Sequence, residues 1–276
     1  MAIRRRLEAA LCALLTMAPL AAGAAPIAPE TTDAAAIMAA VEDRAEGDRI
    51  SGRLTMTLID KSGRQRQRVV RSWTRQFDGG TRQLMIFEGP ADVANTGLLS
   101  IDYDAGDRDD DQWLFLPSLH KSTRISSGEK SGSFMGTDLS YADMTRADPK
   151  HYAYTMVDAN ATVDGEAAWL IESRPTSARA KDETGYLKSH LWISKSKLVP
   201  LQVKAWVIKG KRLKYIKFDD VKQLGEAWVP HKISARTVDK DGKPESTTVL
   251  QFSELKHDDP AVTDELFTER RLEQGL

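Results

Sequence analysis

The chain has 276 residues, with 39 Lys and Arg against 40 Asp and Glu and a net charge of −1. That balance gives no basic excess for nucleic acid. A single cysteine rules out an internal disulfide and a Cys-ligated zinc.

The N-terminus reads as a secretory signal peptide. Arg4, Arg5 and Arg6 form a basic region, Ala9 to Ala22 is apolar but too short to span a bilayer, and Ala22-Gly23-Ala24 offers the small residues of a cleavage site. Residues 1–24 are therefore expected to be removed, leaving 25–276 as one domain. Removal takes Arg4, Arg5, Arg6 and Glu8 and leaves a net charge of about −3. Cys12 follows Leu11 in the middle of the apolar stretch, so lipidation there is not expected.

A short helix follows. Thr32 or Asp33 can cap it, Ile37, Met38 and Val41 share one side, and Gly47 can end it. From Ile50 onward the pattern becomes one of strands. Leu54, Met56 and Leu58 alternate with polar neighbours, and Asp60 to Gly63 reads as a turn. The strand from Gln65 to Phe77 returns. Further strands are predicted at 83–87, 97–103, 112–116 and 121–126. Residues 128–147 interrupt the series with Gly128, Gly132 and Gly136, and a short helix is expected near Leu139 to Met144. Strands resume at 152–158, 167–174, 186–194, 201–208, 213–224, 228–239 and 247–255. Asp164-Gly165 and Lys209-Gly210 mark hairpins between them. A last helix is predicted from Asp264 to Leu272, capped by Thr263 or Asp264.

Hairpins without intervening helices exclude doubly wound and TIM-barrel folds. The reading is mainly β (α+β): one antiparallel sheet of about 11–12 strands, which at that length must curl, close or split. A membrane β-barrel is disfavoured, because strands such as Gln65–Gln76 are too polar for a lipid-facing girdle.

Catalytic chemistry finds little support. His120, His151, His190, His231 and His257 show no metal-ligand spacing, and there is no His-Glu-x-x-His, Gly-x-Ser-x-Gly or phosphate-binding glycine loop. No enzyme, cofactor or metal is expected. The cluster Asp107, Asp109, Asp110 and Asp111 reads as a solvated hairpin tip before a calcium loop, since no glycine lies among the carboxylates. The run Arg64, Arg66, Arg68, Arg71 and Arg75 reads as the polar face of a strand, with an anionic-headgroup patch as the alternative.

The block 112–146 carries a resemblance. Gln112 to Leu119 (QWLFLPSL) is followed by Thr123 to Ser127 (TRISS) and Ser131 to Met144 (SGSFMGTDLSYADM). Phe87 to Asp92, Thr96 to Leu99 and Trp228-Val229-Pro230 add weaker matches. The chain resembles the LolA-like outer membrane lipoprotein-sorting family of periplasmic proteins. The resemblance implies a strongly curved open half-barrel, helices plugging its concave face, and a hydrophobic cavity for a lipid or a lipoprotein acyl chain. It further implies an inner-membrane RND/MMPL-type exporter as partner, transient contact with a membrane or outer-membrane acceptor, and no catalytic residues.

Apolar bulk on the predicted strands supplies the expected cavity wall: Trp73, Phe77, Met85, Phe87, Leu98, Trp113, Phe115, Trp169, Trp192 and Trp206. The glycine-punctuated segment supplies the expected lid: Phe134, Met135, Leu139, Tyr141 and Met144. Methionine suits a site that accepts varied apolar shapes. The alternative reading is a non-carrier adaptor of an envelope transport complex with a filled core.

Overall fold

The computed structural model describes residues 27–104 and 108–275. The expected signal peptide, Cys12 and Asp107 lie outside these residues. Helix α1, Ala34–Glu42, opens on Asp33, whose carboxylate accepts from the Ala35 and Ala36 amides. It ends at Glu42, well before the expected stop at Gly47.

Thirteen strands follow in one sheet: β1 Arg49–Asp60, β2 Gln65–Phe77, β3 Gly80–Gly89, β4 Gly97–Tyr103, β5 Asp111–Leu116, β6 Lys121–Arg124, β7 Tyr152–Val163, β8 Glu166–Pro175, β9 Tyr186–Ser194, β10 Pro200–Val207, β11 Arg212–Leu224, β12 Ala227–Val238 and β13 Pro244–Lys256. The order is β6-β5-β4-β3-β2-β1-β13-β12-β11-β10-β9-β8-β7. The described pairings are all antiparallel, and the sheet is not closed into a barrel. Among the described residues no helix is long and apolar enough to cross a membrane.

This order has a topological consequence. The chain starts at the centre of the sheet, walks out to the β6 edge, and must then reach the opposite edge at β7 before walking back to β13 beside β1. Residues 125–151 make that crossing, so one irregular segment passes over a whole face of the sheet.

The same segment shows how far the sheet bends. Gln112 on β5 donates to the Tyr141 carbonyl (3.0 Å), and two residues later Asp143 accepts from Tyr186 on β9 (2.8 Å). Those strands are nine steps apart, about 43 Å in a flat sheet. Two residues of chain span about 7 Å. The sheet therefore wraps around the crossing segment, and the face it touches is the concave one.

Each face has its own core. On the concave face Leu54, Met56, Leu58, Val70, Met85, Phe87, Leu98, Ile216, Ala235 and Leu250 surround the crossing segment. Further along that face α1 sets Ala34, Ile37 and Val41 on Trp169, Ile171 and Ile193. On the convex face the C-terminal segment places Val262, Phe267 and Leu272 over Leu84, Ile86, Leu99 and Phe115. Gly97 permits this: a Cβ there would lie 2.5 Å from Leu272 Cδ1.

Three local expectations are corrected. The last helix is split into a 3-10 turn at Asp264–Leu266 and α3 at Glu269–Gln274, with Thr268 rather than Thr263 capping the α-helix. Phe267 leaves helical geometry between them to enter the convex core. Residues 139–144 hold only a 3-10 turn, Tyr141–Met144. The β8–β9 connection contains an unforeseen helix, α2 (Ala178–Thr184), capped by Ser177 and ended by Gly185 in the left-handed region.

Candidate functional site

The crossing segment is a plug built as a small closed loop. Ser133 and Ser140 form a β-bridge, and the Phe134 amide donates to the Leu139 carbonyl (2.8 Å). Met135 (φ 50°) and Gly136 (φ 75°) turn the chain, which thrusts Phe134 and Leu139 to one side. Phe134 meets Phe87 and Tyr141 at ring-centroid distances of 6.1 and 5.7 Å, and both Phe134 and Leu139 are buried in the concave core.

Buried polar groups tie this loop to the wall. Asp138 accepts from Ser246 Oγ (2.6 Å), Thr248 Oγ1 (2.9 Å) and the Thr237 amide (3.2 Å) on β12 and β13. Asp143 accepts from Lys214 Nζ (2.8 Å) and from Tyr186 Oη, and Lys214 also donates to Tyr186 Oη (2.6 Å). Burial alone would push the Asp143 carboxyl up. The adjoining Lys214 ammonium, with the Ser140 amide and Tyr186 hydroxyl, outweighs it and holds the group below its ordinary value. Burial and the same carboxylate push the Tyr186 hydroxyl well above the usual tyrosine range. At the loop's start, Lys130 is only 1% exposed and pairs with Glu183 of α2 at 2.5 Å. Arg68 of β2 donates to the Met135 carbonyl (2.6 Å).

Beside the root of the plug lies a cavity of about 810 Å³, bounded by α1, the ends of β2–β4, residues 142–152 and α2. Its lining mixes charged side chains with apolar surface. Arg146 is among the lining residues. Its amide donates to Asp102 (2.6 Å), and its guanidinium reaches Asp104 (2.8 Å) and Glu42 (3.3 Å). Burial, reinforced by Asp110, pushes the Asp102 carboxyl up to about 7, against the pull of Arg146. Burial also raises Glu42 and Asp110.

The structure sorts the residues singled out from sequence. Met85, Phe87 and Leu98 line the concave face against the plug. Trp169 is concave but lies beneath α1. Most of the remaining expectations need correction. Trp73, Trp113 and Phe115 pack on the convex face with the C-terminal segment. Trp192 joins Ala168, Val199 and Leu201 on that same convex side of β8–β10, and Trp206 sits next to it beside His190. The cause is parity: neighbouring strand residues point to opposite faces. Phe77 needs no correction: it meets Tyr103 edge-on at the strand end, under Arg82, and lines the cavity at the plug's root. Of the lid residues, Phe134 and Leu139 are buried, and Met135, Tyr141 and Met144 pack partly exposed around them.

The arginine run is divided in the same way. Arg68 faces the plug, Arg71 pairs with Glu88 (2.7 Å), and Arg75 with Asp264 (3.4 Å). In the acidic loop, Asp110 accepts from the Tyr103 amide, and Asp111 and Asp109 pair with Arg124 and Arg179. No metal-holding group of His, Cys, Asp or Glu occurs among the described residues. Sequence reasoning missed Asp138, Asp143, Lys214 and Arg146 as anchors. The Asp138 and Asp143 signal was present as polar residues inside an otherwise apolar lid.

A family model described as that of an "-like" uncharacterized protein matches residues 79–274. An outer membrane lipoprotein-sorting protein domain from Vibrio parahaemolyticus aligns at 28% identity and TM-score 0.76, over 87% of this chain and 98% of its own. The chain belongs to the LolA-like family. A DUF1329 family protein from Desulfovibrio piger shares 25% identity with this LolA-like chain at TM-score 0.76, covering 86% of it and 97% of that protein. A LolA superfamily protein from Nitrosomonas europaea shares the LolA-like fold at 20% identity and TM-score 0.62, covering 85% and 97%. No curated protein matches the chain.

Proposed function

We propose that this LolA-like chain is a periplasmic carrier whose half-barrel takes up the acyl chain of a lipid or lipoprotein in exchange for its own plug. The observation that carries the reading is that Phe134 and Leu139, which fill the concave core, belong to a crossing loop and not to the sheet. The cavity at the loop's root, lined by charged and apolar side chains alike, gives the headgroup or peptide end of such cargo a place beside Arg146. The proposal assigns no catalytic step to the chain.

The energetics suit exchange. Exposing two large apolar side chains costs about 3–6 kcal/mol. Burying roughly a dozen methylenes contributes on the order of 10 kcal/mol before binding costs. The plug thus covers greasy surface when cargo is absent and competes with it, which permits release. Delivery from an inner-membrane RND/MMPL-type exporter, and transfer to a membrane acceptor, complete the proposed cycle.

The test is a cysteine lock. Asp138→Cys with Thr248→Cys joins plug to wall in a mature chain that otherwise has no cysteine. Lipid is extracted and identified by native mass spectrometry from wild-type and locked protein. The expected result is lipid on the wild type, none on the oxidised lock, and recovery after reduction. Wild-type protein that never holds lipid, or a lock that loads equally, overturns the proposal.

The second reading is an adaptor with a permanently filled core. The buried bonds of Asp138 and Asp143 favour it, because they make the plug costly to withdraw. Under that reading the lock changes neither lipid content nor partner binding.

A further inference from the structure

The convex side carries a feature that lipid carriage inside the barrel does not use. Where β9 starts and β10 ends, Leu187, Trp206, Ile208 and Leu213 line a shallow apolar pocket of about 300 Å³. Leu187 is 48% exposed and Ile208 45%, in contrast to the buried Leu and Ile of the two cores. The Ile208 amide donates to the Gly185 carbonyl (3.0 Å), so the β10–β11 hairpin is fixed against the end of α2 and does not dangle. Gly210 (φ 79°) and Lys211 (φ 50°) make its turn sharp, which projects the tip.

The surroundings are cationic. Lys181, Lys211 and Arg212 edge the pocket, and Lys209 sits on the turn. Behind them the Lys204 ammonium lies 4.7 Å from the Trp206 ring centroid, and Lys188, 4.5 Å from the same ring, is paired with Glu172 (2.6 Å). Arg212 has Glu245 at 3.2 Å, whereas Lys181, Lys204, Lys209 and Lys211 have no ion-pair partner among the described residues.

We infer that this hairpin end docks the protein on an anionic lipid bilayer. Leu187 and Ile208 would enter the headgroup–acyl boundary, Trp206 would lie at the depth indole prefers, and the unpaired lysines would meet phosphates. Charge complementarity selects this occupant: exposed aliphatic tips ringed by uncompensated ammonium groups match an anionic, apolar-cored surface. The inference stands whether or not the interior carries lipid.

The experiment is co-sedimentation of the purified mature chain with phosphatidylcholine vesicles, with and without about one-third phosphatidylglycerol. The expected result is binding that needs phosphatidylglycerol and is lost at high salt. Lys209→Glu with Lys211→Glu should weaken it at least about tenfold. Leu187→Asp with Ile208→Asp should weaken it comparably. All four side chains are exposed, so each variant should keep the wild-type melting temperature, which is measured alongside. Absence of wild-type binding, equal binding to pure phosphatidylcholine, or folded variants that bind like wild type would each overturn the inference. Sedimentation by wild-type protein that never holds lipid in its interior would count against the carrier reading and support the docking inference.

Discussion

Replacing Phe134 by alanine removes a side chain that is 1% exposed and wedged between the Phe87 and Tyr141 rings. The backbone around it is held by the Ser133–Ser140 bridge and the Asp138 carboxylate, so the site collapses little. A Phe→Ala change in such a place costs about 3–5 kcal/mol. For a chain of this size that lowers the melting temperature by on the order of 10 °C. If cargo replaces the plug tip, the loss should apply to empty protein alone. Urea unfolding of delipidated and lipid-loaded samples checks this: the loaded variant should lie within about 1 kcal/mol of loaded wild type. The variant should also load more tightly, because the displaced tip competes less. An equal loss in both samples would refute the exchange, since Phe134 would then be core in either state.

Other outcomes follow from the anchors and the convex face. Asp143→Asn leaves the Lys214 ammonium buried without its carboxylate and should cost about 3–5 kcal/mol by denaturant unfolding, most of it recovered by adding Lys214→Met. Because the Asp143 carboxyl is held low, its stabilising contribution is present above the ordinary carboxylate range. It fades as pH falls through the depressed value, so wild type should lose its margin over Asp143→Asn in acid. Asp102 has the opposite sign. Its folded value is pushed up to about 7, so the favourable protonated form is lost as pH rises through neutrality. Melting curves of Asp102→Asn between acid and mildly alkaline pH should be flatter than wild type, with the gain on the alkaline side; parallel curves would contradict the assignment. Leu272→Ala should cost about 2–5 kcal/mol by uncovering Leu84, Ile86 and Leu99, with no effect on lipid content.

The strand succession was legible because alternation and turn chemistry are local. Leu54, Met56 and Leu58 alternate in sequence and in burial, and Asp60 to Gly63 turns as its residues require. The plug was legible as an interruption, through its glycines and its block resemblance. The facing of the tryptophans was not. Trp73 and Trp113 flank Leu84 and Leu99 in one cross-strand row, and only the pairing register reveals that this row is convex. Large apolar side chains on both faces look alike in sequence, because a C-terminal segment far along the chain covers one of them. The anchors were hidden for the same reason: Asp138 is explained by Thr248, and Asp143 by Lys214, both distant in sequence.

An unclosed sheet leaves two rims with no neighbouring strand, which could recruit another molecule strand by strand. One rim, β6, is four residues long. The other, β7, has twelve, but its pairing with β8 slips at Met156–Asp158 and again at Asp158–Ala161. Such irregularities twist a border away from flat stacking. Asp158 and Asn160 add polar bulk at the kink. An open sheet thus coexists with a border that resists fibril growth, and straightening β7 by deletion should turn a dispersed protein into an aggregating one.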